Sequence, residues 1–124
     1  MQKILITGAS GFVGGFLVED ALNRGLEVYA AVRKSSNLQY LQDERINFVL
    51  IDFENKDSLK SIFLEHEFKY IIHNAGLTKT PIKEQYFIVN ATYLENMVEA
   101  LIESNKIPSK FTFISSLAAY GPAE

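Results

Sequence analysis

Residues 7–15 read TGASGFVGG and follow the apolar run Ile4-Leu5-Ile6, so Gly8, Gly11 and Gly14 recur every third residue where a strand gives way to a helix. At a helix N-terminus the first backbone N–H groups lack intrahelical acceptors and the macrodipole is positive, which favours an anion. A pyrophosphate meets those conditions. Gly8 then permits the tight exit from the strand, Gly11 lets the backbone approach phosphate oxygens, and Gly14 allows the helix to pack closely on the strand. A plain strand-to-helix turn would use the same glycines; their place in the first βα unit of an alternating series favours the phosphate. The candidate binding residues here are Gly8, Ser10, Gly11, Phe12, Val13 and Gly14.

A second chemical signal stands at Val32-Arg33-Lys34-Ser35-Ser36. A dinucleotide-binding unit usually ends its second strand in Asp or Glu, which holds the ribose hydroxyls of NAD, whereas Arg suits an added 2′-phosphate through its charge and planar donor fork. Arg33 therefore favours NADP over NAD. The alternative is a solvated, charged loop.

The elements that must position these groups alternate regularly. Residues 3–7 form an apolar strand, and Phe12, Val13, Phe16, Leu17, Ala21 and Leu22 recur at helical spacing up to Arg24-Gly25. Residues 27–33 (EVYAAVR) and 46–51 (INFVLI) read as strands, joined by a polar connection with room for one helical turn. A helix over 57–65, a strand over 68–73, a long helix from Pro81 to about Ser104 and a strand over 111–115 complete the series. Strands apolar throughout and separated by helices indicate an α/β, doubly wound parallel sheet, with its five strands expected in the order 3-2-1-4-5.

Composition sets outer bounds. The 124 residues suffice for one domain, 1–124, and 48% are hydrophobic, enough for a real core. The formal net charge of −3, with both signs interspersed, offers no basic surface for nucleic acid or an anionic membrane. There is no cysteine, and the start MQKILITG lacks the apolar stretch of a signal peptide, so a cytoplasmic protein is expected.

TGASGFVG, IIHNAG and FISSLAAYG occur in that order over most of the chain, and together they resemble the extended branch of the short-chain dehydrogenase/reductase superfamily. The resemblance implies an NAD(P)-binding Rossmann domain that serves hydride transfer at a carbonyl or alcohol carbon. Nucleotide-sugar epimerases and dehydratases belong to that branch, as do NADPH-dependent ketone and aldehyde reductases. It implies further that Asp52 lies near the adenine amine, with Phe53 as an apolar neighbour beside the ring, although Asp52 is equally suited to cap a helix. Ala75 and Gly76 match the small residues beside the cofactor ribose, and Ser116 matches the catalytic hydroxyl that hydrogen-bonds the reacting oxygen. In NATYLENMVEA, Asn90 and Asn96 match the family's asparagines, but Tyr93-Leu94 replaces its Gly-Thr. His73 reads as a hydrogen-bonded structural residue, and no metal site is supported.

The family's general acid/base is the tyrosine of a Tyr-x-x-x-Lys motif, whose lysine lowers the phenol's pKa. None of the six tyrosines here has a lysine four places on. The chain is accordingly read as the N-terminal portion of a longer enzyme acting on a small-molecule substrate, expected to be inactive alone and to self-associate through its fifth strand. A non-catalytic NAD(P)-binding sensor or scaffold is the alternative.

Overall fold

The computed structural model describes residues 1–34, 36–74 and 83–114, with the backbone alone at 83–87 and 89. The elements run β1 (Lys3–Thr7), α1 (Phe12–Asn23), β2 (Glu27–Val32), β3 (Asn47–Leu50), α2 (Lys56–Glu65), β4 (Tyr70–His73), α3 (Lys83–Ser104) and β5 (Lys110–Phe113). All five strands pair in parallel in the order β3-β2-β1-β4-β5, with Leu5 level with both Tyr29 and Ile71, and Ile71 level with Phe111. The doubly wound expectation holds down to the strand order. Several strands are shorter than the apolar runs that announce them: Ile46, Ile51 and Phe68 are buried beyond the strand ends, Ile51 still donating its N–H to the Val32 carbonyl at 3.0 Å.

Alternate side chains of each strand enter separate cores, as the pleat requires. Leu5, Tyr29, Ala31 and Ile71 pack with Leu59, Ile62 and Phe63 of α2 and with Tyr93, Met97 and Leu101 of α3. Ile4, Ile6, Val28, Ala30 and Val32 pack on the other face with Val18, Ala21 and Leu22 of α1. Salt bridges from Lys56 to Glu99 (3.2 Å) and Glu103 (2.9 Å), and from Lys60 to Glu103 (3.3 Å), tie α2 to α3 along their exposed sides.

α1 forms where the helical spacing places it and buries Gly14, Val18, Ala21 and Leu22, while the apolar Phe12, Val13 and Phe16 project outward. Phe12 and Phe16, one helical turn apart, meet edge to face at 5.0 Å, and Tyr40 joins Phe12 at 5.9 Å. In the connection between β2 and β3 the described residues form turns rather than a helical turn. Asn37 and Asp43 each accept, through Oδ1, the N–H two residues on, at 3.0 and 2.9 Å. Such local side-chain acceptors compete with helix for the backbone donors. Among the described residues no helix is long and apolar enough to cross a membrane.

Candidate functional site

The glycine loop leaves β1 at the C-terminal edge of the sheet, beside the switch point where β1 meets both β2 and β4. Gly8 has φ 64, a left-handed conformation that glycine adopts without strain, and its carbonyl accepts the Gly11 N–H at 3.3 Å. The helix starts immediately afterwards, with Gly15 N–H donating to the Gly11 carbonyl at 2.9 Å. A Cβ on Gly14 would stand 2.1 Å from the Gly8 oxygen and 2.7 Å from Ala9 Cα, so this glycine is required for the helix to lie against the loop. Gly11 differs: among the described residues a Cβ there would meet only the Gly8 oxygen, at 3.6 Å. Among the described residues that side is open. Gly11 is the N-cap without a side-chain cap, and the first turn holds no acidic residue, so the donors of Phe12 and Val13 and the positive end of the dipole face a space that suits a phosphate. Ser10 is half-buried within this loop.

At the same sheet edge, Thr7 Oγ1 accepts the Asn74 N–H at 3.0 Å and lies 2.7 Å from Nδ1 of His73. The hydroxyl can accept a second hydrogen bond or donate one, so the imidazole tautomer decides which of Thr7 Oγ1 and His73 Nδ1 carries the shared proton. His73 is fully buried among Phe53, Phe111 and Phe113, and among the described residues Nε2 has no hydrogen-bond partner. Burial lowers its pKa to about 4, which keeps it neutral near pH 7. His73 is hydrogen-bonded as expected, with Thr7 as its partner.

The ends of β2 and β3 build the other side of the site. Arg33 is exposed, and its backbone is fixed by Ser36, whose Oγ accepts the Arg33 N–H at 2.9 Å while the Ser36 N–H donates to the Arg33 carbonyl at 3.0 Å. Asp52 is exposed, and its Oδ1 accepts the Glu54 N–H at 3.0 Å. It does not cap α2; Asn55 does, accepting the Ser58 N–H at 3.0 Å. Phe53 is 4% exposed, and its ring stacks on Tyr93, with centroids 5.1 Å apart and planes 22° apart. What this strand end presents outward is therefore the Asp52 carboxylate and the Arg33 guanidinium. Asn96 Nδ2 donates to the Phe53 carbonyl at 2.8 Å, anchoring α3 to this turn. The Tyr93 that replaces the family's glycine is thus accommodated by stacking. Asn90 is half-buried one turn earlier on α3.

Ala75, Gly76 and Ser116, with the neighbouring Ser115 and Tyr120, lie outside the described residues. Gly8, Ser10, Gly11, Phe12, Val13, Gly14, Arg33, Asp52 and Phe53 all lie along the C-terminal edge of the sheet. A groove lined by Ile4, Leu26, Tyr70, Ile72, Lys110 and Thr112 opens at the opposite end of the strands, on the α1 face, and contains none of these residues. Ligands of open α/β sheets bind at the carboxyl ends of the strands, so the glycine-loop edge is the candidate site.

Residues 4–124 match the family model described as the NAD dependent epimerase/dehydratase family. The chain is 32% identical over 142 aligned residues to a UDP-glucose 4-epimerase of Pisum sativum, covering 99% of this chain and 39% of that protein. It is 28% identical to a UDP-glucose 4-epimerase of Drosophila melanogaster, covering 95% of this chain and 38% of that protein. A crystal structure of a UDP-glucose 4-epimerase superposes with a TM-score of 0.81 at 23% identity, over 99% of this chain and 38% of the other. The Thermus thermophilus UDP-glucose 4-epimerase in complex with NAD gives 0.72 at 26% identity, over 85% and 35%. This chain thus spans about two-fifths of the length of these relatives.

Proposed function

The chain belongs to the NAD dependent epimerase/dehydratase family, and from that premise we propose that it forms the dinucleotide-binding part of an enzyme acting on a nucleotide sugar. The observation that carries the reading is the uncapped N-terminus of α1 at the switch point, where the Gly11 side is open and Gly14 holds the helix against the loop. The chemistry a bound nicotinamide dinucleotide supplies is reversible hydride transfer at a substrate carbon. The N–H groups of Phe12 and Val13 would hold the pyrophosphate, with Gly11 leaving room for its approach and Ser10 beside them. Asp52 would accept from the adenine amine, and Ala75 and Gly76 would leave room for the ribose. Ser116 would donate to the substrate oxygen that gains charge during the reaction.

Arg33 supports NADP over NAD within this proposal, because a guanidinium rather than a carboxylate ends β2. The family description and the Thermus thermophilus complex both name NAD, which makes cofactor choice a direct point of test. A cytoplasmic location, in keeping with a cysteine-free sequence, belongs to the same proposal, as does homo-oligomerisation.

The experiment is an assay of the natural protein that contains this chain, following inversion at C4 of UDP-glucose with NAD or NADP supplied. We expect turnover, with Ser116→Ala lowering kcat far more than it weakens cofactor binding. Cofactor binding without turnover on nucleotide sugars, ketones or aldehydes would favour the non-catalytic module, and equal activity with Ala at 116 would move the chemistry to another residue.

A further inference from the structure

The Arg33 guanidinium carbon lies 5.8 Å from the centroid of Phe53 and 5.7 Å from that of Tyr93, while the two centroids are 5.1 Å apart. The guanidinium carbon thus lies over both rings at once. Each member of this triangle is held independently. Tyr93 comes from the middle of α3 and is buried, Phe53 is fixed through the Asn96 bond to its carbonyl, and Arg33 leaves a loop closed by its two backbone bonds to Ser36. Among the described residues Arg33 has no ion pair, and the Asp52 carboxylate turns to the Glu54 N–H instead. The guanidinium is thus located by aromatic contact, which leaves its N–H donors available to an oxyanion.

We propose that Tyr93, stacked on Phe53, is a positioning residue that holds the Arg33 guanidinium where it meets the 2′-phosphate of an adenosine cofactor. Cofactor choice is then set partly from α3, by a residue that itself touches no phosphate. This rests on the dinucleotide reading above. A lysine at 33 would keep the charge, but its ammonium is a strongly hydrated point charge without the planar surface that lies along two rings.

The test measures, by calorimetric titration of the full 124-residue chain, the affinity ratio between adenosine 2′,5′-bisphosphate and 5′-AMP. These ligands differ only in the 2′-phosphate. The wild type is expected to favour the bisphosphate, Arg33→Ala to lose the preference, and Tyr93→Phe to retain it because the ring is kept. Tyr93→Leu and Arg33→Lys should each reduce the ratio by about two- to fivefold, the scale of one aromatic contact to a cation at an exposed site. Tyr93→Met is the second variant if Tyr93→Leu fails to fold. A wild-type ratio in whichever of them folds would overturn the positioning role and leave dinucleotide binding standing, whatever Arg33→Lys shows, because lysine also lacks the planar donor fork. Equal affinity of the wild type for the two ligands would overturn the 2′-phosphate assignment. Binding of neither ligand would overturn the dinucleotide reading and this inference with it.

Discussion

Thr7 Oγ1 and His73 Nδ1 are 2.7 Å apart, joining β1 to β4 at the point where the winding of the sheet reverses. The same oxygen accepts the Asn74 N–H, so one hydroxyl serves a buried side chain and the first backbone donor beyond β4. Thr7→Val keeps the shape and removes both bonds. It should destabilise the fold by about 1–3 kcal/mol, the cost of leaving buried polar groups unpaired. Chemical denaturation measures this, and a neutral result would mean that the hydroxyl is dispensable.

His73 also gives stability a pH dependence of definite sign. Its native pKa is about 4 against 6.5 for an unperturbed imidazole, so between those values the unfolded chain binds a proton that the native chain does not. Stability present above pH 6.5 is therefore lost as the pH falls through that window, by up to about 3 kcal/mol, and this contribution levels off below the native pKa. His73→Gln removes the titration. Denaturation midpoints near pH 7 and near pH 4 should diverge more in the wild type than in the variant, whereas equal losses would mean that the imidazole is not held neutral.

Two glycines three residues apart separate folding from binding. Gly14→Ala drives a Cβ into the Gly8 carbonyl and should cost at least about 1–3 kcal/mol of stability, since backbone atoms cannot yield as a flexible side chain can. Gly11 has φ −81 and ψ 176, which alanine adopts freely, and its added Cβ meets one atom at ordinary contact distance. Gly11→Ala should change stability by no more than about 0.5 kcal/mol. It should nevertheless weaken dinucleotide binding on the order of tenfold, because the methyl occupies the approach to the loop. Thermal melts and cofactor titrations of both variants check this; equal affinity of Gly11→Ala and wild type would contradict the phosphate assignment.

β5 pairs only with β4 among the described residues, and Phe113 on it is 44% exposed. An open strand edge with apolar side chains invites pairing with another chain. The 124-residue chain should therefore sediment as an associating species, and Thr112→Lys, which places a charge on the exposed Thr112 position, should reduce association. Monomeric behaviour of the wild type across a concentration series would exclude β5 as a self-association edge.

Much of this was legible because it is periodic or local. Apolar strands alternating with helices fix the parallel sheet, and glycines spaced by three mark the loop whose close contact at Gly14 the structure reproduces. The outward aromatic face of α1 was not legible, since Phe12 and Phe16 satisfy a helical spacing as well as Val18 and Leu22 do, and only docking on the sheet decides which set is buried. Asp52 is suited to cap a helix, but α2 begins three residues further on and Asn55 caps it, an offset that composition does not resolve. Thr7 and His73 lie 66 residues apart, and their partnership follows only from the β1–β4 register. The available signal was that each closes an apolar strand with a polar side chain. Tyr93 looked like a departure from a family pattern, yet Phe53 and Arg33 give it a defined place.

The central claim is that the glycine-loop edge of the sheet binds a dinucleotide, and titration of the ¹⁵N-labelled chain with NADP⁺ and NAD⁺, followed amide by amide, tests it most directly. Saturable shifts should centre on Gly8 to Val13, extend to Arg33 and Asp52, and reach saturation at a lower concentration of NADP⁺ than of NAD⁺. Absence of saturable shifts, or shifts confined to the groove at Tyr70 and Lys110, would contradict it.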